Sequence, residues 1–150
     1  MKISNIETEP VSRPCWMIVD DNKDVLSLMR AIIARCINAD VQCFHSPHAA
    51  LATFMATPEA FDFVITDLEM PGMSGLELGE RLKKLSPAIK VLLSTGSEIL
   101  TDEEAVQKGF CGLLHKPFPL TTLQHALETA GLLATSVKNN CEQLTVLTMA

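Results

Sequence analysis

Apolar residues along the chain alternate between two spacings. Short, mostly apolar runs such as Cys15–Asp20 (CWMIVD) and Ile89–Ser94 (IKVLLS) indicate buried strands. Between such runs, apolar residues recur every three or four positions, as in Asn22–Ile37, which is the period of a helix. The predicted strands are Cys15–Asp20, Val41–His45, Phe61–Thr66, Ile89–Ser94 and Cys111–His115.

Polar residues mark where helices begin and end. Two pairs have the spacing of a capping box, in which a hydroxyl residue stands three positions before a glutamate: Ser74 with Glu77 and Thr101 with Glu104. Gly109 is a typical helix stop. The predicted helices are Asn22–Ile37, one beginning at Pro47, one from Ser74 through Leu85, one from Thr101 to Gly109, and Leu120–Leu132.

Strands that are nearly continuous in apolar residues, separated by helices, are typical of a parallel sheet covered on both faces. We therefore predict an α/β fold, a doubly wound five-stranded parallel sheet with five helices and right-handed crossovers, as in flavodoxin-like proteins. It occupies residues 15–131, after an N-terminal lead-in at 1–14 and before a C-terminal extension at 132–150.

Composition narrows the function classes. The chain has 18 acidic and 12 basic residues, a net charge of −6, whereas nucleic acid or an anionic membrane demands clustered Lys and Arg. No apolar run reaches the ~20 residues of a membrane span, and the acidic segment Met1–Pro10 is not a signal peptide. Five cysteines without a Cys-x-x-Cys pair predict buried free thiols in a reducing cytoplasm.

Polar residues follow four of the predicted strands. Asp20 and Asp21 end the first, Asp67 follows the third, Thr95 the fourth and Lys116 the fifth. Ligands of open parallel sheets bind beyond the carboxyl ends of the strands, so we expect these groups to gather at one edge. Each signal alone is more typical of a cap or a turn, and the prediction depends on their consistent order.

Three carboxylates held close together repel one another, and burial raises that cost. Lys116 supplies one positive charge and a divalent cation would supply two more. Oxygen ligands favour a hard ion, and Mg²⁺ suits a site that keeps waters for an incoming phosphate. An aspartate in such a pocket can act as a nucleophile and form an acyl phosphate.

These motifs make the chain resemble the receiver domain of two-component response regulators. The resemblance spans about residues 14–131, nearly the whole chain. The matching segments are Asp20-Asp21, Asp67–Gly75 (DLEMPGMSG), Thr95-Gly96 and Lys116-Pro117-Phe118.

The resemblance implies a role for each site residue. Asp67 resembles the phosphoacceptor, which takes a phosphoryl group from a histidine kinase or a histidine phosphotransfer protein. Asp21 and Asp67 resemble direct Mg²⁺ ligands, Asp20 the acid that contacts the metal through water, and the Glu69 backbone carbonyl the remaining ligand.

Two further residues receive roles in the same way. Thr95 resembles the switch hydroxyl that turns inward to the phosphoryl oxygen. Lys116 resembles the ammonium that pairs with Asp67 and then with its phosphate, and the Lys116-Pro117 peptide is expected to be cis.

One position departs from the family pattern. Three residues before the lysine, where the family often has Tyr or Phe, stands Leu113. We expect Leu113 to repack without crossing into the pocket, so the output movement differs while the phosphorylation site is kept. Gly96 should leave the site open, and Glu69 and Ser97 occupy positions that the family uses to set phosphoryl lifetime.

The expected function is a phosphorylation-controlled signalling module, not an enzyme, that assists its own phosphorylation and dephosphorylation. We expect it to lack an output domain and to act alone on an unidentified downstream protein, or to be the receiver of a hybrid kinase. A homodimer through the fourth and fifth helices is a further expectation from the family. Direct binding to nucleic acid or membrane is not expected.

Two alternatives compete with this function. Asp67 could be the nucleophile of a haloacid-dehalogenase-type phosphatase, although that chemistry needs a second Asp where Glu69 stands. The chain could also be an interaction domain that is no longer phosphorylated. Other chemistry-bearing residues are interpreted as structural or solvent-facing: Cys43, His45, His48, His115, His125, Arg81, Lys83 and Lys84.

Overall fold

The five predicted strands form one parallel sheet, in which the second strand along the chain lies at one edge, followed by the first, third, fourth and fifth. The structure, a computed structural model, describes residues 13–131 and 148–149. The sheet confirms the predicted doubly wound α/β class. The strands are β1 Cys15–Val19, β2 Asp40–Phe44, β3 Phe63–Asp67, β4 Lys90–Thr95 and β5 Gly112–His115.

Helices separate the strands as predicted, with small shifts of their ends. A turn of 3-10 helix at Pro58–Ala60 was not predicted, and β3 begins two residues later than expected. Asp62, which precedes β3, instead caps β1, because its carboxylate accepts from the Cys15 backbone N–H at 2.8 Å. The helices are α1 Lys23–Cys36, α2 Pro47–Ala56, α3 Gly75–Leu85, α4 Asp102–Gln107 and α5 Leu120–Thr129.

Only one of the two predicted capping boxes is complete. Thr101 and Glu104 each bond the other's backbone N–H at the start of α4. At α3, Ser74 accepts from the Glu77 backbone N–H. Glu77 itself does not bond back, because its carboxylate accepts from Arg81 at 2.8 Å, one helical turn onward.

Alternating side chains of each strand build two cores. On one face, Trp16, Ile18 and Phe63 pack against α1 and α5. On the other, Met17 and Val64 pack against α2, α3 and α4. Because the central strands are buried on both faces, their polar groups are confined to the strand ends, where the site forms.

The described cysteines are less buried than predicted. Cys15, Cys43 and Cys111 are free thiols, but each is half-buried. Burial raises the pKa of Cys15 and Cys111, which favours the protonated thiol over the thiolate. The side chain of Cys36, and Cys141, lie outside the described residues.

Part of the C-terminal extension joins the domain. Thr148–Met149 (β7) pairs antiparallel with Phe118–Pro119 (β6), just after the predicted site lysine. Residues 1–12 of the lead-in and the segments 132–147 and 150 lie outside the described residues, so the domain boundaries stay a prediction. Within residues 13–131 and 148–149, no helix has the length and apolarity needed to cross a membrane.

Candidate functional site

The predicted site residues stand at adjacent strand ends. Asp67 is the last residue of β3 and Thr95 the last of β4, and Lys116 follows β5 directly. Strand pairing continues into the loops, since Leu68 N–H donates to the Ser94 carbonyl and Lys116 N–H to the Thr95 carbonyl, each at 2.7 Å. These bonds fix the backbone on which the site side chains are carried.

Three carboxylates converge at this edge, as predicted. Asp20, Asp21 and Asp67 each offer an oxygen, and these atoms lie within 4.8 Å of one another. Asp20 is 3% exposed and Asp67 7%, whereas Asp21 faces solvent. The Asn22 backbone N–H donates to Asp20 Oδ1 at 2.9 Å, which holds that carboxylate in place.

Lys116 reaches two of the three carboxylates. Its Nζ lies 2.8 Å from Asp20 Oδ2 and 3.6 Å from Asp67 Oδ1. The family pattern led us to expect Asp67 as its partner, but the shorter contact is with the more deeply buried Asp20. An unpaired buried carboxylate is costly, and the ammonium lies nearest the less exposed of the two.

Asp67 is the perturbed acid of the site. Burial raises its pKa from 3.8 to about 6, and Asp20 and Asp21 act in the same direction. Lys116 and the Glu69 backbone N–H oppose this by favouring the charged form. The phosphoacceptor predicted from sequence is therefore a desolvated carboxylate beside two other acids, and a cation bound there would favour its charged form.

The residues present fit a hard divalent cation. Three carboxylates and one ammonium leave two negative charges, which Mg²⁺ would neutralise. All the offered ligand atoms are oxygens, and Asp21 opens the cluster to solvent. The role of the Glu69 carbonyl as a further ligand stays a prediction.

A second hydrogen-bond network beside the acids was not predicted. Thr95 Oγ1 donates to Glu69 Oε1 at 2.9 Å, and the Ser97 hydroxyl donates to the same carboxylate oxygen. The Ser97 backbone N–H donates to Thr95 Oγ1 at 3.1 Å. Bonds from Ser97 and then Thr95 lower the pKa of Glu69. The spacing placed Glu69 and Ser97 beside the site, but it carried no sign that they bond to each other.

Two glycines shape the surroundings of the site. A Cβ on Gly75 would lie 2.0 Å from the Asp67 carbonyl oxygen, so the start of α3 can approach β3 only with glycine there. Around Gly96 a Cβ would meet nothing within 4 Å, which agrees with the predicted open entrance. The Lys116-Pro117 peptide is cis, as predicted.

Other candidates stay outside the pocket. Leu113 is 8% exposed and packs in the core on the side of α2, α3 and α4. His115 is exposed and lies 3.9 Å from an oxygen of Asp102. Among the residues that the structure describes, the acidic trio is the one cluster with metal-binding spacing, so Cys43, His45 and His48 form no such group.

Comparison with known proteins points to one family. The model described as "Response regulator receiver domain" matches residues 16–128. Transcriptional regulatory protein ZraR of Salmonella typhimurium is 33% identical over 115 residues, which cover 76% of this chain and 25% of that protein. Response regulator protein TmoT of Ectopseudomonas mendocina is 33% identical over 131 residues, which cover 87% of this chain and 58% of that protein.

A solved structure supports the fold. A response regulator receiver domain protein from Clostridium thermocellum has a TM-score of 0.70 and 23% identity, covering 87% of this chain and 98% of that one. The chain therefore spans a quarter to about three fifths of the length of the two curated relatives, and nearly all of the solved domain.

Proposed function

Because the chain belongs to the family of response regulator receiver domains, whose model matches residues 16–128, we propose that it accepts a phosphoryl group on Asp67. The observation that carries this proposal is the buried Asp67 carboxylate, set between two other acids and the Lys116 ammonium. The donor we propose is a phosphohistidine of a histidine kinase or a histidine phosphotransfer protein.

The transfer is a displacement at phosphorus. An Asp67 carboxylate oxygen forms the new P–O bond while the P–N bond to the donor imidazole breaks, and the leaving nitrogen keeps the electron pair and takes a proton from solvent. The product is an aspartyl phosphate, an acyl phosphate that water can later hydrolyse. Receiver domains thus assist their own phosphorylation and dephosphorylation, and we propose no other catalytic activity.

Charge neutralisation makes this attack possible. Asp20, Asp21 and Asp67 would hold Mg²⁺, which supplies positive charge for the oxygens of the transferred group. Lys116, already within 3.6 Å of Asp67, supplies a second positive charge from the protein. Thr95 would then donate its hydroxyl hydrogen to a phosphoryl oxygen.

The alternatives are less well supported. A haloacid-dehalogenase-type phosphatase would need a free acid two residues after its nucleophile, but the Glu69 carboxylate is bonded to Thr95 and Ser97. An interaction domain that has lost phosphorylation would have no need for the acidic trio and Lys116. We propose a signalling partner downstream without naming it, and homodimerisation as a further prediction.

The wider setting is proposed on the same basis. The free thiols of Cys15, Cys43 and Cys111 suit a reducing compartment, which supports action in the cytoplasm. We propose residues 15–131 as the receiver unit and 132–150 as an extension whose end, β7, pairs with β6. Because this chain spans only part of the two curated relatives, we propose the receiver activity alone and assign no output activity.

Phosphorylation by acetyl phosphate in the presence of Mg²⁺ tests the proposal. Intact mass should rise by one phosphoryl group, and EDTA or Asp67→Asn should abolish the gain. Asp62→Asn, an exposed aspartate before the same strand, is the matched control and should still be phosphorylated. Equal labelling of the Asp67→Asn protein would overturn the proposal, and turnover of a phosphate ester that depends on Asp67 would favour the phosphatase.

A further inference from the structure

The Thr95 hydroxyl has one hydrogen and several acceptors within reach. Its Oγ1 lies 2.9 Å from Glu69 Oε1, 3.2 Å from Ser97 Oγ and 3.4 Å from the Ser97 carbonyl. The carboxylate is both the nearest acceptor and the charged one, and bonds to charged acceptors are roughly twice as strong as neutral ones. The Glu69 carboxylate therefore accepts the hydrogen bond that the Thr95 hydroxyl donates.

The same bond ties two loops together. Glu69 belongs to the loop between β3 and α3, and Thr95 and Ser97 lead into the loop between β4 and α4. Thr95 is buried, with 1% of its surface exposed, and within residues 13–131 its hydroxyl makes no hydrogen bond to Asp67. The carboxylate thus holds the hydroxyl of Thr95 outside the acidic cluster.

We propose that the Glu69 side chain is a positioning residue that holds the Thr95 hydroxyl in the unphosphorylated protein and competes with the phosphoryl group for its hydrogen. The inference rests on the proposed phosphorylation of Asp67. It adds a role for the Glu69 carboxylate that is separate from the role predicted for its backbone carbonyl.

The structure also shows why the Thr95–Glu69 hydrogen bond can break at low cost. Ser97 donates to the same carboxylate oxygen, so Glu69 keeps a partner when Thr95 leaves. Glu69 is exposed, and water can replace the lost donor. Thr95 exchanges one anionic acceptor for another, so the competition is between two bonds of similar kind.

Beryllofluoride binding in Mg²⁺, measured by titration calorimetry, tests the competition. Glu69→Ala removes both the charge and the acceptor, whereas Glu69→Gln removes the charge and keeps an acceptor oxygen. We expect Glu69→Ala to bind beryllofluoride about tenfold more tightly than Glu69→Gln, or ~1.4 kcal/mol. Glu80→Ala, an exposed glutamate of α3, is the control for general charge and should match the wild type.

A double-mutant cycle separates positioning from electrostatics. In a Thr95→Val background there is no hydroxyl to hold, so Glu69→Ala and Glu69→Gln should bind beryllofluoride equally. Equal affinities of these two variants with Thr95 present would overturn the inference, because charge alone would then explain the effect. A tenfold difference that persists in the Thr95→Val background would overturn it as well.

A metal-free measurement gives an independent signature. The Ser97 backbone N–H donates to Thr95 Oγ1, so its amide resonance reports the position of that hydroxyl. We expect the Ser97 resonance to shift in Glu69→Ala and to stay near its wild-type position in Glu69→Gln; an unchanged resonance in both would count against the inference.

Failure of the inference and of the proposed function can be told apart. A wild-type protein that does not bind beryllofluoride, or an Asp67→Asn protein that binds it equally well, removes the proposed function and the inference together. If the wild type binds beryllofluoride only when Asp67 is present, and Glu69→Ala and Glu69→Gln bind it with equal affinity, the inference alone is removed.

Discussion

Replacing Asp67 with asparagine should stabilise the metal-free protein. Burial, together with the nearby Asp20 and Asp21, raises the pKa of Asp67 from 3.8 to about 6. The ionised form is therefore less favourable in the folded protein than in the unfolded chain. At 1.36 kcal/mol per pH unit, a difference of about two units costs the fold about 3 kcal/mol at neutral pH. Asparagine is neutral and similar in shape, so it removes this cost.

The sign of the pH dependence follows from linkage. Between about pH 4 and pH 6 the folded protein holds a proton on Asp67 that the unfolded chain has lost, so stability from this group falls as pH rises. Below that range both states are protonated, and the wild type and Asp67→Asn should unfold alike. Above it the variant should be more stable by a constant amount.

Urea denaturation in EDTA at several pH values measures the difference directly. Asp40→Asn is a suitable control, because Asp40 is exposed and its pairing with Arg13 at 3.8 Å is solvated. Added Mg²⁺ should stabilise the wild type, by ~2.7 kcal/mol at a hundred times its Kd, and leave Asp67→Asn nearly unchanged. Equal stability of wild type and variant at pH 7.5, or a difference that does not change between pH 4.5 and 7.5, would refute the reasoning.

Three further substitutions or states probe other contacts. Lys116→Met leaves the buried Asp20 carboxylate unpaired, so the free energy of unfolding in EDTA should fall by about 3 kcal/mol. The same substitution should lower the free energy of unfolding by less when Mg²⁺ is present. Gly75→Ala should lower the free energy of unfolding by ~1–3 kcal/mol and slow phosphorylation by acetyl phosphate, because the added Cβ would press on the Asp67 carbonyl oxygen. Unchanged stability and rate would contradict this. Structures with and without beryllofluoride should show Leu113 still in the core, and a large inward rotation of its side chain would contradict this prediction.

Much of the fold could be predicted because local signals agree with the tertiary structure. The apolar run of β1 is buried on both faces, and the predicted starts of α2 at Pro47 and α5 at Leu120 are correct. The errors lie at boundaries where a side chain bonds to a partner other than the one its spacing suggested. Asp62, which was predicted to lie within β3, precedes that strand and bonds to β1. The Glu77 carboxylate bonds to Arg81 and does not complete the predicted capping box.

The candidate site could be predicted as far as strand ends determine position. Asp20, Asp67, Thr95 and Lys116 are carried by adjacent strands, so the topology alone brings them together. Side-chain partners are a different matter, because they depend on rotamers and on which buried charge is hardest to leave unpaired. The nearer partner of Lys116, for example, is Asp20, although the family pattern suggested Asp67.

Leu113 and Glu69 together bear on how phosphorylation would be transmitted. Leu113 has no polar side-chain atom, so its side chain cannot form a hydrogen bond with the Thr95 hydroxyl when that group moves. The hydroxyl is instead bonded to Glu69, which also lines an apolar groove of about 480 Å³ with Met70, Ile99 and others of the two adjoining loops. Loss of the Thr95–Glu69 bond would leave Glu69, a residue of this groove's wall, with Ser97 as its remaining hydroxyl donor, so a change at the Thr95 hydroxyl would alter the contacts of a surface residue without an aromatic side chain that turns inward.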